Sequence, residues 1–222
     1  MQPNSSSYIN IHTHFKPQLN SEFVVRNAYL KLTVAQLEQL PYAVSVGLHP
    51  WHIHQIPLTQ LSDRLIDLAT QKNVWAIGEI GIDRSIDIPI STQIQYFETQ
   101  LNVARALQRP VVIHAVRSVS DLMPYLKKSK VPFIFHGFNG NIQQANELLK
   151  YSAKLSFGKV LFDDKMAEVF KQLPMDAFFL ETDNASVSIE TIYQTAAQLK
   201  GLSVDELKSA VFNTFAACSK NV

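Results

Sequence analysis

Eight short runs of apolar, largely β-branched residues recur along the chain, and most of the stretches between them carry helical periodicity. The runs are Tyr8–His14, Phe23–Tyr29, Ala43–Leu48, Val74–Ile80, Val111–Ala115, Phe133–Phe138, Lys154–Phe157 and Phe178–Asp183. They are nearly continuous in apolar residues, the pattern of parallel strands covered by helices. The clearest helix is predicted over Thr92–Gln108, where Ile94, Phe97, Leu101, Ala104 and Leu107 recur at helical spacing and Thr92 with Gln95 forms a capping box. Helices are also expected over Asn141–Lys150, Asp163–Gln172, Glu190–Lys200 and Val204–Ala217.

Eight strand–helix units predict an α/β fold, a closed (β/α)8 TIM barrel. An open doubly wound sheet is the alternative, but no strand–turn–helix carries the Gly-rich phosphate fingerprint of that class. With 222 residues, 46% of them hydrophobic, the chain suffices for one domain over 1–222, small for a barrel. No linker or low-complexity tract divides it. A net charge of +1 argues against a broad basic surface that wraps nucleic acid, though not against a phosphate site inside a cleft. Cys218 is the single cysteine, so an intramolecular disulfide is excluded. The polar start "MQPNSSS" lacks the pattern of a signal peptide, and no apolar run is long enough to span a membrane. The expectation is a cytoplasmic protein with no membrane association and no obligate protein partner.

Barrel chemistry sits at the C-terminal ends of the strands. There the first run gives His12 and His14, whose i, i+2 spacing points both imidazoles to one side of a strand. The third gives His49, the fourth Glu79, the fifth His114, the sixth His136 and the eighth Asp183. Any one of these alone reads as a satisfied core histidine or a cap. Together they place metal-ligating types repeatedly at the ends of apolar runs, where an unpaired polar group is costly. The donors are nitrogen and oxygen without sulfur, which suits zinc first, with manganese or magnesium as alternatives. His12, His14, Glu79, His114, His136 and Asp183 are too many for one catalytic zinc. Two divalent ions, roughly 3.5–4 Å apart in sites of this kind, with Glu79 as the bridging carboxylate, are expected.

The segments "NIHTH" (10–14), "VGLHPW" (46–51), "AIGEIGID" (76–83), "PVVIHAVR" (110–117), "FHGFNG" (135–140) and "ETD" (181–183) together resemble the TatD family of metal-dependent hydrolases, in that family's order and across most of the chain. The resemblance implies a barrel of the metallo-dependent hydrolase type and cleavage of DNA phosphodiesters from the 3′ end. It implies that His12, His14, Glu79 and Asp183 hold one ion and that Glu79, His114 and His136 hold the second. Asp183 would also orient and deprotonate the attacking water, so Asp183 and Glu79 are the candidate catalytic residues. Glu181 would support a ligand or position Asp183.

Three departures from the family pattern stand out. Asn10 replaces the usual Asp, which removes a charged acceptor that could back a ligating histidine. Trp51 follows His49-Pro50 where a second His is common, and could stack on a base or pack at the rim. After Asp183 the chain reads "NASVSIETIYQ" in place of a Pro-rich basic loop. Arg117 is placed to grip a phosphate, and Arg84 is a weaker candidate; either could equally be a solvated loop charge. His49 is expected to touch substrate or a ligand's partner. The predicted activity is a divalent-metal-dependent phosphodiesterase or deoxyribonuclease using metal-activated water on a DNA or nucleotide substrate. The alternatives are a metal-dependent hydrolase of a small amide, ester or phosphoester, and a non-catalytic metal-binding protein with a decayed site.

Overall fold

A computed structural model describes residues 2–219. All eight predicted strands are present: β1 Tyr8–Thr13, β2 Glu22–Asn27, β3 Ala43–Val46, β4 Val74–Asp83, β5 Val111–Val116, β6 Phe133–Phe135, β7 Lys154–Phe157 and β8 Phe178–Leu180. They pair in parallel in sequence order from β1 to β8. A parallel bridge between Thr13 and Asp183 brings the last strand back to the first. There the His14 amide donates to the Asp183 carbonyl (3.0 Å) and the Asp183 amide donates to the His12 carbonyl (3.0 Å). The fold is a nearly closed (β/α)8 TIM barrel.

Among the described residues eight α-helices accompany the strands: α1 Val34–Glu38, α2 Leu58–Ala69, α3 Ile90–Ala106, α4 Val119–Leu126, α5 Ile142–Leu149, α6 Asp164–Gln172, α7 Ile189–Lys200 and α8 Val204–Cys218. Five match the predicted ones within two residues. The expected Thr92–Gln95 capping box is absent: α3 begins two residues earlier behind Pro89, whose fixed φ suits a helix start, and no side chain caps it. Capping boxes do form at Thr33–Gln36, Asn141–Gln144 and Ser203–Glu206. The β1–β2 connection carries no helix, and 3₁₀ turns over Pro50–Gln55 and Lys159–Phe162 follow β3 and β7.

Several strands stop earlier than the apolar runs suggest. Asp183 has φ +51° and Gly137 φ +56°, left-handed conformations incompatible with a continuing strand. β4 instead runs on to Asp83, fully buried along its length. Gly81 makes this possible, because a Cβ there would collide with the His114 carbonyl of β5. Close β4–β5 contact puts Glu79 and Asp83 beside His114. At the seam α7 is pinned to β1 by fully buried Tyr193, whose hydroxyl accepts from the Ile9 amide (3.0 Å) and donates to the Ile9 carbonyl (3.1 Å). Among the described residues no helix is long and apolar enough to cross a membrane.

Candidate metal centre

Five strand ends deliver the predicted donor residues to one place. Glu79 is its hub. Its Oε1 lies 2.7 Å from His136 Nε2, 2.9 Å from His114 Nδ1 and 3.3 Å from His49 Nε2. Its Oε2 lies 3.5 Å from His12 Nε2 and accepts from Asn27 Nδ2 at 3.1 Å. Asp183 Oδ1 lies 3.2 Å from His14 Nε2 and 3.6 Å from His12 Nε2. The open face is a cleft of about 290 Å³ lined by His14, Tyr29, His49, Trp51, His52, Glu79, His114, His136, Asp183 and Asn184.

This arrangement fits divalent ions. His12 is fully buried, yet among the described residues neither of its ring nitrogens has a hydrogen-bond partner. Orphaned polar atoms of this kind are rare and costly unless something else satisfies them. Three imidazole nitrogens within 3.3 Å of one carboxylate oxygen exceed what its lone pairs can accept as ordinary hydrogen bonds. The donor atoms of His12, His14 and Glu79 lie within 4.8 Å of one another, as do those of His12, His136 and Asp183. His49, Glu79 and His114 make a third such group. In that group His49 is a poor ligand. Its Nδ1 accepts the Trp51 amide at 3.1 Å, so in the neutral ring the proton sits on Nε2 and points at Glu79.

The charges respond to this crowding. Burial alone would raise the Glu79 carboxyl, but neighbouring His136, with close contacts from His114, His136 and His49, holds it well below the usual range. Burial pulls against the charged form of His136, yet Glu79 and Glu181 push that imidazole well above its ordinary value. Burial, with His136 alongside, brings His12 down to about 4, so it stays neutral at physiological pH. Burial opposes ionisation of Asp183, and contacts from His14, His12 and His136 override it.

The other predicted residues surround this cluster. Glu181 is buried and turns to His136 (3.7 Å) and the Gly137 amide (2.7 Å), the arrangement of the first alternative, support of a candidate ligand, and not that of positioning Asp183. Among the described residues Asn10 makes no hydrogen bond to a histidine: its Nδ2 donates to Glu22 Oε1 and Thr182 Oγ1, each at 2.9 Å, and its Oδ1 accepts the Thr182 amide. It ties β1 to β2 and to the end of β8, and an Asp there would face Glu22 with like charge. Arg84 is engaged by Asp121 through two hydrogen bonds at 2.8 and 2.7 Å, which removes it as a free phosphate grip. Arg117 is exposed and lines a neighbouring cleft of about 640 Å³ that reaches His136 and Asn139. Trp51 is 54% exposed, with its indole N–H donating to Asp83 Oδ2 at 2.7 Å.

Three residues of the site carry no distinguishing sign in the sequence. Asp83 accepts from His114 Nε2 (3.0 Å) and from Ser85, and these bonds with that from Trp51 bring its carboxyl down to about 2 against the effect of burial. A carboxylate behind one ring nitrogen fixes the tautomer and presents the other, here Nδ1, to the cluster. Asn27 and Tyr29 close β2 at the same i, i+2 spacing that marks His12 and His14.

Comparison with known proteins agrees with this centre. A family model described as TatD related DNase matches residues 17–219. The chain belongs to the TatD family. The matched span begins just after the His12–His14 pair. Over 204 residues the TatD-family chain is 28% identical to the uncharacterized metal-dependent hydrolase YjjV of Escherichia coli K12, covering 82% of this chain and 78% of that protein. The crystal structure of YjjV superposes with a TM-score of 0.82 over 97% of this chain and 99% of that one, at 21% identity. The uncharacterized metal-dependent hydrolase YabD of Bacillus subtilis is 30% identical over 186 residues, or 74% of this chain and 72% of YabD. The human 3′-5′ RNA nuclease TATDN2 is 33% identical over 147 residues, 62% of this chain but 19% of that much longer protein.

Proposed function

We propose that this TatD-family protein is a divalent-metal-dependent phosphodiesterase that trims single-stranded nucleic acid, DNA first, from the 3′ end. The observation that carries the reading is the convergence of His12, His14, His114, His136 and Asp183 around Glu79, with both nitrogens of buried His12 lacking a hydrogen-bond partner among the described residues. His12, His14, Glu79 and Asp183 would hold one ion, and Glu79, His114 and His136 the second, with zinc, manganese or magnesium as candidates. When bound, such ions acidify water and offset negative charge developing on phosphoryl oxygens. Asp183, ionised at neutral pH and 36% exposed at its side chain, is placed to take a proton from the attacking water. Glu79 holds the two halves of the ligand set together. His49 donates to Glu79 and keeps that carboxylate in place.

The rim supports a polymeric anionic substrate. Phe15, Trp51 and Phe162 are exposed large apolar side chains on the loops after β1, β3 and β7, suited to stacking on bases. Exposed Arg117, together with Lys16 and Lys159 on rim loops, can grip phosphates; among the described residues none of the three has a carboxylate partner. The nuclease relative TATDN2 favours the same chemistry.

One observation favours a smaller phosphoester. Past Asp183 only five residues precede α7, leaving a cleft of about 380 Å³ lined by Phe15, Val187 and Ile189 where a longer loop would cover the mouth. Metal analysis of the purified protein, paired with assays on 3′-labelled single-stranded oligonucleotides and on small aryl phosphodiesters, separates the two. His114→Ala is expected to lose one ion and nearly all activity. Activity that survives EDTA unchanged, or full activity in His114→Ala, would reject the reading.

A further inference from the structure

We propose that the hydroxyl of Tyr29 is a substrate-contacting hydrogen-bond donor of the cleft, aimed at an oxygen of the phosphoryl group undergoing hydrolysis; this rests on the phosphoester reading above. Tyr29 lies on β2's exit loop, a strand from which neither the sequence nor the ligand geometry draws a metal-binding residue. Its backbone has φ +53°, a conformation bulky residues rarely adopt and which persists where the surroundings enforce it. Asn27 enforces it here. Asn27 Oδ1 accepts the Tyr29 amide at 3.2 Å, while Asn27 Nδ2 donates to Glu79 Oε2 at 3.1 Å. One amide side chain thus sets the positions of the hub carboxylate and of Tyr29 together. The phenol ring lies tilted over His14, with centroids 5.7 Å apart, and edge-on to His52 at 5.8 Å.

The hydrogen-bond direction follows from the chemistry of His14. Its Nε2 faces Asp183 and its Nδ1 lies 3.2 Å from the Tyr29 hydroxyl. For Nε2 to offer a lone pair to an ion, the ring proton must reside on Nδ1. The Tyr29 oxygen is then the acceptor of that N–H, and its own O–H remains available. Tyr29 lines the cleft, so that O–H has the reacting group within reach. Glu79 and Asp183 are acceptors, and the lone pairs of His12, His114 and His136 are reserved for ions. Of the neutral donors in the lining, Tyr29 with His52 and Asn184, Tyr29 is the one whose hydroxyl lies against a ligand histidine. A fixed donor that strengthens as charge builds on a phosphoryl oxygen favours the transition state over the bound substrate.

The test compares Tyr29→Phe with the wild-type holoprotein, using inorganic phosphate as the binding probe and an aryl phosphodiester as substrate. Phenylalanine keeps the ring and removes the hydroxyl, which is both the donor and the acceptor of the His14 Nδ1 proton, so metal content and kinetics are read at saturating metal. The expected result is unchanged metal content, a phosphate dissociation constant about tenfold weaker, and kcat lowered about 10²–10³-fold with little change in KM. Full metal content with unaltered phosphate affinity and kcat overturns the proposal and leaves the hydrolase reading intact. Loss of an ion in Tyr29→Phe also overturns it, because the hydroxyl would then serve only to hold His14. A wild-type protein that binds neither metal nor phosphate defeats the phosphoester reading itself.

Discussion

Asp83 joins two surfaces through one carboxylate. On Oδ2 it accepts the His114 Nε2 proton and the Trp51 indole proton; on Oδ1 it accepts the amide (2.8 Å) and hydroxyl (2.5 Å) of Ser85. The exposed indole at the rim and the imidazole in the cluster therefore share an anchor. Asp83→Asn keeps the shape but puts an amide donor where an acceptor is needed, so the His114 tautomer is no longer fixed. Metal affinity is expected to fall about 10–100-fold, measured by competition with a chromophoric chelator, and Trp51 fluorescence should shift with it. Unchanged affinity would mean that His114 is oriented by something else. At this scale the sequence reveals residues whose chemical type is itself unusual at a strand end. Histidines and Glu79 within apolar runs are conspicuous. Asn27, Tyr29 and Asp83 are not, because the same residue types cap turns and cover surfaces throughout proteins, and their partners lie in other strands. Asn10 was legible as a departure, but its partner Glu22, twelve positions away, only becomes visible once β1 and β2 are paired.

The strands were readable because parallel strands buried on both faces must be continuously apolar. The helices were less so. α1 has five residues, too few for a periodicity, and α4 contains Pro124, which normally argues against a helix. α2 does carry the signal, in Leu58, Leu61, Leu65 and Leu68, directly after a His-rich turn that draws attention away from it. Helix ends show how elements hold one another. At the C-terminal end of α7, Lys200 reaches back to the carbonyls of Lys171 (3.2 Å) and Leu173 (2.5 Å), with its ammonium near the rings of Phe170 and Phe178. Burial lowers that ammonium to about 8 from 10.5. The unfolded chain then holds a proton that the native state has released across that interval, so this group makes stability rise with pH between about 8 and 10.5. Below 8 both states are protonated and the contribution is flat. The difference in unfolding free energy between wild type and Lys200→Met should show that slope in that window alone; a flat difference would contradict the assignment.

For the whole molecule, the cluster is a cross-brace as well as a chemical centre. Ligand candidates come from β1, β4, β5, the turn after β6 and the turn after β8, so an ion held there ties distant parts of the barrel together. Any species that binds the native state alone stabilises it, by about 2.7 kcal/mol at a hundredfold excess over its dissociation constant. EDTA treatment should therefore lower the thermal midpoint, and re-addition of zinc or manganese should restore it. A midpoint indifferent to chelation would argue that the imidazoles are satisfied without ions.

The seam of the barrel and the cluster coincide. The amide of Asp183 reaches His12 and that of His14 reaches Asp183, so the contacts that close the cylinder also bring the outermost donors of the set together. A nascent polypeptide still emerging from the ribosome, or one truncated before its final strand, has no way to assemble the full set. Whatever bond this protein cuts, the segment that carries Asp183 must have been made before any cutting can begin.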